Sequence, residues 1–154
     1  MTSKPAPLSS RPKILVVDDD ASMLEGLRRQ LAPEFDVTCA NGGRAALFVA
    51  AHYGSVEVAI SDMRMPEMSG IDLFEELAKL QPDVVRILLT GFADVEAATA
   101  AVNRGEVFRF LSKPCGSGTL RDAVRAGVVR HRQMRSEGEL LDQVIESRRA
   151  VYQG

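Results

Sequence analysis

The stretch KILVVDDDASMLEGLRRQLA, residues 13–32, places an apolar run, three carboxylates and a helical pattern in immediate succession. The branched aliphatic residues at 14–17 are typical of a parallel strand that helices cover on both faces. Apolar residues at helical spacing follow, and Pro33 stops the pattern because proline cannot continue a helix. The stretch therefore predicts a strand, a loop and a helix, the first part of a βαβ unit.

Strand-like apolar runs alternate with helical patterns along most of the chain. The predicted strands are 13–17, 35–40, 56–61, 84–90 and 107–112. The predicted helices are 21–32, 43–54, 70–81, 94–105 and a last one that begins near Gly118. In the third of them an apolar stripe at helical spacing is formed by Ile71, Leu73, Phe74, Leu77 and Leu80. This alternation predicts a doubly wound α/β domain on a five-stranded parallel sheet.

Composition limits the classes of protein to which the chain can belong. Its 154 residues suit one domain with a sizeable core, and the formal net charge of -2 gives no bulk attraction to nucleic acid or an anionic membrane. No apolar run approaches the roughly 20 residues of a spanning helix. Cys39 and Cys115 are far apart, so we expect reduced thiols. We therefore expect a cytoplasmic protein with no direct nucleic-acid or membrane partner.

The last helical pattern runs past what one domain needs and shows no firm stop before Gly154. We therefore expect a flexible tail over 1–12, the domain over 13–132 and a helical extension or linker over 133–154. Leu141, Val144 and Val151 lie near heptad spacing, but Arg148 interrupts them. A coiled coil and a solvated linker both stay open.

Polar residues mark the carboxyl ends of four predicted strands. Asp18 and Asp19 follow the first strand, Asp62 the third and Lys113 the fifth, while Thr90 closes the fourth. In an open parallel sheet these ends meet at one crevice. Clustered carboxylates suit Mg²⁺, and a hydroxyl with an ammonium can stabilise the oxygens of a transferred phosphoryl group. The pattern indicates phosphoryl chemistry with a carboxylate nucleophile.

The third carboxylate of the acidic run has a simpler explanation. Asp20 immediately precedes the predicted helix that opens at Ala21, and aspartate is a preferred N-cap residue. We therefore expect Asp20 to cap the helix rather than to join the acidic site.

Four motifs together resemble the receiver domain of bacterial two-component response regulators. They are VVDDD (16–20), SDMRMPEMSG (61–70), LLTG (88–91) and FRFLSKP (108–114), in this order. The resemblance implies a flavodoxin-like (βα)5 fold with strand order 2-1-3-4-5. It also implies that Asp62 accepts a phosphoryl group from the phosphohistidine of a sensor histidine kinase or phosphotransfer protein.

The resemblance further implies how each residue of the site acts. Mg²⁺ would be held by Asp19, Asp62 and the backbone carbonyl of Arg64, with Asp18 acting largely through water. Lys113 would pair with the phosphoryl oxygens.

The same resemblance implies a switch. The Thr90 hydroxyl would turn inward to bond one phosphoryl oxygen, the ring of Phe110 would follow, and the Lys113–Pro114 peptide would be cis. The helix at 94–105, the fifth strand and the last helix would form the surface that signals to an effector or to a second copy. The chain would then be a switch rather than a turnover enzyme, one that assists its own phosphorylation and slowly hydrolyses the product.

A haloacid-dehalogenase-type phosphatase is the alternative, because ILVVDDDAS (14–22) nearly fits the opening motif of that class. Asp18 would then be the nucleophile and Asp20 the acid/base, with Thr90 and Lys113 continuing the pattern. However, no acidic pair follows Lys113 at a strand end, and Asp62 would have no role.

The output of the receiver is open at this point. The residues after 132 cannot hold a helix-turn-helix with its own core, so a stand-alone receiver and an excised input domain are both possible. The segment at 88–114 resembles receivers that precede HD-GYP-type cyclic-di-GMP phosphodiesterases.

Overall fold

Five strands form one parallel sheet in the computed structural model, which describes residues 10–153. The strands are β1 (Lys13–Val17), β2 (Asp36–Ala40), β3 (Val58–Asp62), β4 (Val85–Thr90) and β5 (Arg109–Ser112). They hydrogen-bond in the order β2-β1-β3-β4-β5, all in parallel register. The predicted order is confirmed, and the direction of winding reverses between β1 and β3, where such sheets place their sites.

Helices connect the strands and cover both faces of the sheet. They are α1 (Ala21–Leu31), α2 (Gly43–His52), α3 (Gly70–Leu80), α4 (Val95–Asn103) and α5 (Ser117–Gln153). A 3-10 turn, Phe92–Asp94, leads into α4. The glycines that follow α2 and α4 adopt positive φ, +91° at Gly54 and +76° at Gly105, a backbone conformation that ends a helix with little strain only for glycine.

Successive strand residues point to opposite faces, and both faces are buried. Leu15 and Leu88 face α2, α3 and α4, whose buried residues in that core include Ala46, Leu73, Phe74, Leu77 and Ala98. Ile14 and Ile87 face α1 and α5, which contribute Leu24, Leu27, Leu120, Val124 and Val128. This explains why the strands read as continuous apolar runs rather than as an alternating pattern.

Several element boundaries differ by one or two residues from the sequence predictions, and one apolar residue is less buried than its spacing suggests. β3 begins at Val58 rather than at residue 56, and it includes Asp62 as its last residue. In α3 the apolar stripe buries Leu73, Phe74 and Leu77, but Leu80 is 48% exposed. Leu80 is the last residue of its helix, so it extends past the end of the core.

Most of the predicted tail, residues 1–9, lies outside the described residues. Within the described part, the Arg11 guanidinium donates to the carbonyl of Ala32, and the Pro12 carbonyl accepts from the amide of Asp36. At the other end, α5 continues well past its contact with the sheet, and residues 135–150 are all exposed. Among residues 10–153, no helix is both long and apolar enough to cross a bilayer.

The close packing of α5 on the sheet depends on one glycine. A Cβ at Gly127 would lie 2.9 Å from Cγ2 of Val58 and 3.3 Å from Cγ1 of Val85. Gly26 in α1 is the opposite case, because a Cβ there would meet no atom within 4 Å.

Alanine at these two helical glycines should change stability in opposite directions. We expect Gly127→Ala to lower the free energy of unfolding by about 1–2 kcal/mol, because overpacking outweighs the gain in helix propensity. Gly26→Ala should raise it by about 0.5–1 kcal/mol. Urea unfolding measures both, and equal stabilisation by the two variants would contradict the close α5–sheet packing.

Candidate functional site

Three carboxylates meet at the carboxyl edge of the sheet. Asp18 and Asp19 follow β1, Asp62 ends β3, and one ligand atom from each lies within 4.8 Å of the others. The side chain of Asp18 is only 2% exposed and that of Asp62 is 14% exposed. Asp18 is thus buried at the base of the cluster, whereas Asp62, the residue predicted to accept the phosphoryl group, is more accessible to solvent.

The backbone around the acidic run gives Asp18 and Asp20 different roles. Asp20 is the N-cap of α1, and its Oδ1 accepts from the amides of Ser22 at 2.9 Å and Met23 at 3.4 Å. The amide of Asp20 in turn donates to Oδ1 of Asp18 at 2.9 Å. The capping prediction for Asp20 is confirmed, and the same turn fixes the orientation of Asp18.

Lys113 supplies the positive charge of the site. Its Nζ lies 2.9 Å from Oδ1 of Asp62 and 3.9 Å from Oδ2 of Asp18. Its backbone amide donates to the carbonyl of Thr90 at 2.9 Å, which places the residue directly after β5. The Lys113–Pro114 peptide is cis, as the resemblance implied.

One buried oxygen of the cluster has no hydrogen-bond partner. Oδ2 of Asp18 is buried, and Lys113 at 3.9 Å is too far to donate to it. Burial raises the pKa of Asp18 above its ordinary value, with smaller contributions from the charges of Asp62 and Asp19, while the amide of Asp20 and the charge of Lys113 oppose the rise. An orphaned buried oxygen beside two further carboxylates fits a hard divalent cation.

The two predicted switch residues, Thr90 and Phe110, lie on the neighbouring strands β4 and β5. Thr90 is fully buried, and its Oγ1 donates to the carbonyl of Gly91 at 3.1 Å. Phe110 is partly buried and packs against the core under α2, α3 and α4.

An ion pair that sequence reasoning missed joins the loop after β3 to the start of α4. Nε and Nη2 of Arg64 donate to the two carboxylate oxygens of Asp94 at 2.7 and 2.9 Å. These hydrogen bonds hold the pKa of Asp94 below its ordinary value. The two residues are 30 positions apart in the chain, so no local pattern signals the contact.

A second missed feature is the contact of α3 with the acceptor strand. A Cβ at Gly70 would overlap the backbone carbonyl of Asp62 and would lie 2.9 Å from Cδ2 of Leu88. Ser69 caps the helix through the amide of Asp72, and the Asp72 carboxylate accepts from the amide of Ser69. The Ser-Gly pair at the end of SDMRMPEMSG therefore lets α3 begin against Asp62.

A doubly wound sheet with three carboxylates and one lysine at its carboxyl edge is suited to phosphoryl transfer. A sequence model of the response regulator receiver domain matches residues 14–125 of the chain. The chain belongs to the response regulator receiver family of two-component systems. This match does not favour the phosphatase alternative.

Individual relatives agree with the family match. The chain is 39% identical over 125 residues to the transcriptional regulatory protein GlrR of Escherichia coli, and the match covers 80% of this chain and 26% of GlrR. It therefore spans about a quarter of the length of that curated relative.

Two solved structures are similar over most of the chain. An adenylate cyclase structure from Rhodopirellula baltica is 39% identical with a TM-score of 0.83, covering 86% of this chain and 98% of that chain. The signal receiver domain of an HD domain-containing protein from Pseudomonas fluorescens is 33% identical with a TM-score of 0.73. The second match covers 80% of this chain and 98% of that chain.

Neutralising one carboxylate should separate the cation site from the helix cap. We expect Asp19→Asn to weaken Mg²⁺ binding by about tenfold, because the site loses one of its charged oxygen ligands. Asp20→Asn removes the same charge one residue away and keeps an N-cap residue, so it should leave the affinity nearly unchanged. Mg²⁺ titration followed by NMR measures both, and equal losses would contradict a defined site.

Proposed function

We propose that Asp62 accepts a phosphoryl group from a phosphohistidine of a sensor histidine kinase or phosphotransfer protein. The observation that carries the proposal is the contact between the Asp62 carboxylate and Lys113 at 2.9 Å, at the open side of the acidic cluster. A carboxylate oxygen of Asp62 forms the bond to phosphorus while the bond from phosphorus to the imidazole nitrogen breaks, and the bonding electrons stay on that nitrogen.

The residues of the chain would orient the acceptor and take up charge. Lys113 contacts Oδ1 of Asp62. Because its ammonium group sits on a flexible side chain, it can shift to pair with the oxygens of the transferred phosphoryl group. Asp18, Asp19, Asp62 and the backbone carbonyl of Arg64 would hold Mg²⁺, which supplies positive charge to the transferred oxygens when bound. The orphaned Oδ2 of Asp18 supports this assignment.

We propose that the same residues also govern how the phosphoryl group is gained and lost. A site that holds Asp62, the cation and Lys113 close together would assist phosphorylation of Asp62 by a small phosphodonor. It would also permit slow hydrolysis. On this view the chain acts as a switch and not as a turnover enzyme.

The conformational response would pass from Thr90 to α4. Phosphorylation replaces the single charge of Asp62 by nearly two charges and adds acceptor oxygens, to which the Thr90 hydroxyl can turn from Gly91. Phe110 would then move into the space that the turn of Thr90 opens. α4 buries only Ala98 and Ala101, so few large side chains fix it to the sheet. We propose α4, β5 and α5 as the signalling surface.

The ion pair between Arg64 and Asp94 supports this route. Arg64 is two residues from the acceptor, and Asp94 immediately precedes α4. A phosphoryl group on Asp62 would compete with Asp94 for the Arg64 guanidinium, because arginine pairs well with either anion. Loss of the pair would free the start of α4.

The output is proposed from the relatives. GlrR is named as a transcriptional regulatory protein, and the two structures carry the names of an adenylate cyclase and an HD domain-containing protein. We propose that residues 13–132 form the receiver and that residues 133–154 form the helical connection to an effector domain. That effector would be of one of the kinds named for these relatives, an HD-type domain included. Cys39 and Cys115 are free thiols, which fits the reducing cytoplasm.

Replacement of the acceptor tests the central claim. We expect wild-type protein with Mg²⁺ and a small phosphodonor to gain one phosphoryl group, and Asp62→Asn to gain none, because the amide is a poor nucleophile. Intact-mass spectrometry measures the addition, and Asp20→Asn serves as a control that keeps the acceptor. A phosphoryl group that survives in Asp62→Asn and maps to Asp18 would favour the phosphatase mechanism instead.

Removing the charge of Asp94 tests the coupling to α4. In unphosphorylated Asp94→Asn, amide hydrogen exchange in 95–103 should become about two- to fivefold faster, the effect expected for one exposed ion pair. Glu34→Gln is the matched control, since it breaks the pair of Arg125 with Glu34 far from the site. Unchanged exchange in 95–103 of Asp94→Asn would contradict this role.

A further inference from the structure

The C-terminal part of α5 carries an apolar stripe that the described chain does not cover. α5 contacts the domain as far as Met134, which is partly buried against the core, whereas residues 135–150 are all exposed. The stripe consists of four side chains with exposed fractions of 67, 61, 45 and 42%, at Leu140, Leu141, Val144 and Ile145. A helix gains most of its stability by packing an apolar face, so this segment needs a partner.

Two opposite charges flank the stripe on the same side of the helix. At about 100° per residue, the four apolar side chains fall within an arc of about 140°, and Glu137 and Arg148 fall near its centre. Glu137 lies about one turn before the apolar group and Arg148 about one turn after it. Neither forms an ion pair within the described part of the chain. The face therefore presents an acid, an apolar patch and a base in order.

The positions of the four apolar and two charged residues along the helix axis are symmetric about the midpoint between Asp142 and Gln143. Leu141 and Val144 lie about 2 Å from that midpoint along the axis, and Leu140 and Ile145 about 4 Å. The two charged residues lie about 8 Å from it, on opposite sides. A second copy of the helix, laid antiparallel about this midpoint, would therefore match apolar to apolar and acid to base.

A parallel pair would bring like charges together. In register, Glu137 would face the partner's Glu137, and Arg148 would face the partner's Arg148, both at the centre of the contact. Like charges held at short range repel, and they do so more strongly where water is partly excluded. Charge complementarity thus selects a second copy in the antiparallel sense.

We propose that residues 135–150 pair antiparallel with the same segment of a second copy of this chain. The contact goes beyond the phosphoacceptor function, because none of its residues touches the acidic cluster. Four apolar side chains from each copy make a small interface, so we expect a weak dimer with a Kd in the micromolar to millimolar range.

Charge reversal distinguishes the two senses of pairing. In the antiparallel dimer, Glu137→Arg or Arg148→Glu alone should raise the Kd by about tenfold, because each creates two repulsive pairs in place of two attractive ones. The double variant Glu137→Arg/Arg148→Glu should restore the wild-type Kd. In a parallel dimer the single and double variants would all keep like charges together, and the Kd would not change.

Sedimentation equilibrium of the full chain, without phosphodonor, measures these constants. Arg135→Glu/Glu139→Arg is the matched control, since both positions lie on the opposite side of the helix, and its Kd should stay within about twofold of wild type. Leu141→Asp should abolish the dimer while leaving the thermal unfolding of the domain unchanged.

A wild-type chain that stays monomeric at millimolar concentration, or single variants with unchanged Kd, would overturn the proposal. The same measurement on Asp62→Asn separates it from the phosphoacceptor function. That variant should dimerise like wild type even if no phosphoryl group is ever accepted.

Discussion

The mutual repulsion of Asp18, Asp19 and Asp62 is the constraint around which the rest of the molecule is arranged. Two carboxylates about 5 Å apart repel by roughly 3 kcal/mol at an effective dielectric constant near 20. Lys113 offsets part of this cost through its contact with Asp62, and a divalent cation would offset more. The sheet supplies the rigid frame that holds the strand ends together against the repulsion.

Frame and site are linked by close backbone contacts. α3 begins directly against the acceptor because Gly70 leaves room for the carbonyl of Asp62. On the other face, α5 lies close to β3 and β4 because Gly127 has no side chain to keep it away. The acceptor strand is therefore packed tightly on both sides. α4, by contrast, is held mainly by two alanines and by the ion pair at its start. We therefore propose that a change of charge at Asp62 would displace α4 more readily than the other helices.

The long α5 has two parts, one packed against the sheet and one exposed to solvent. Up to Met134 the helix packs against the core, and its sequence is constrained by these contacts. Residues 135–150 are exposed, so packing against the sheet does not constrain their sequence. The heptad spacing noted in the sequence did not decide between coiled coil and linker. The symmetric placement of Glu137, the apolar patch and Arg148 supports a pairing that a heptad count alone does not detect.

The sequence by itself determined the fold class, the strand order through the family motifs, the cap at Asp20 and the residues of the acidic edge, because these follow from local patterns and strand-end positions. It missed the ion pair of Arg64 with Asp94, the close approach at Gly70 and the exposure of Leu80. These were decided only by the tertiary structure. Each depends on how far apart two elements lie after folding, and that distance is set by packing of the whole sheet and its helices rather than by neighbouring residues.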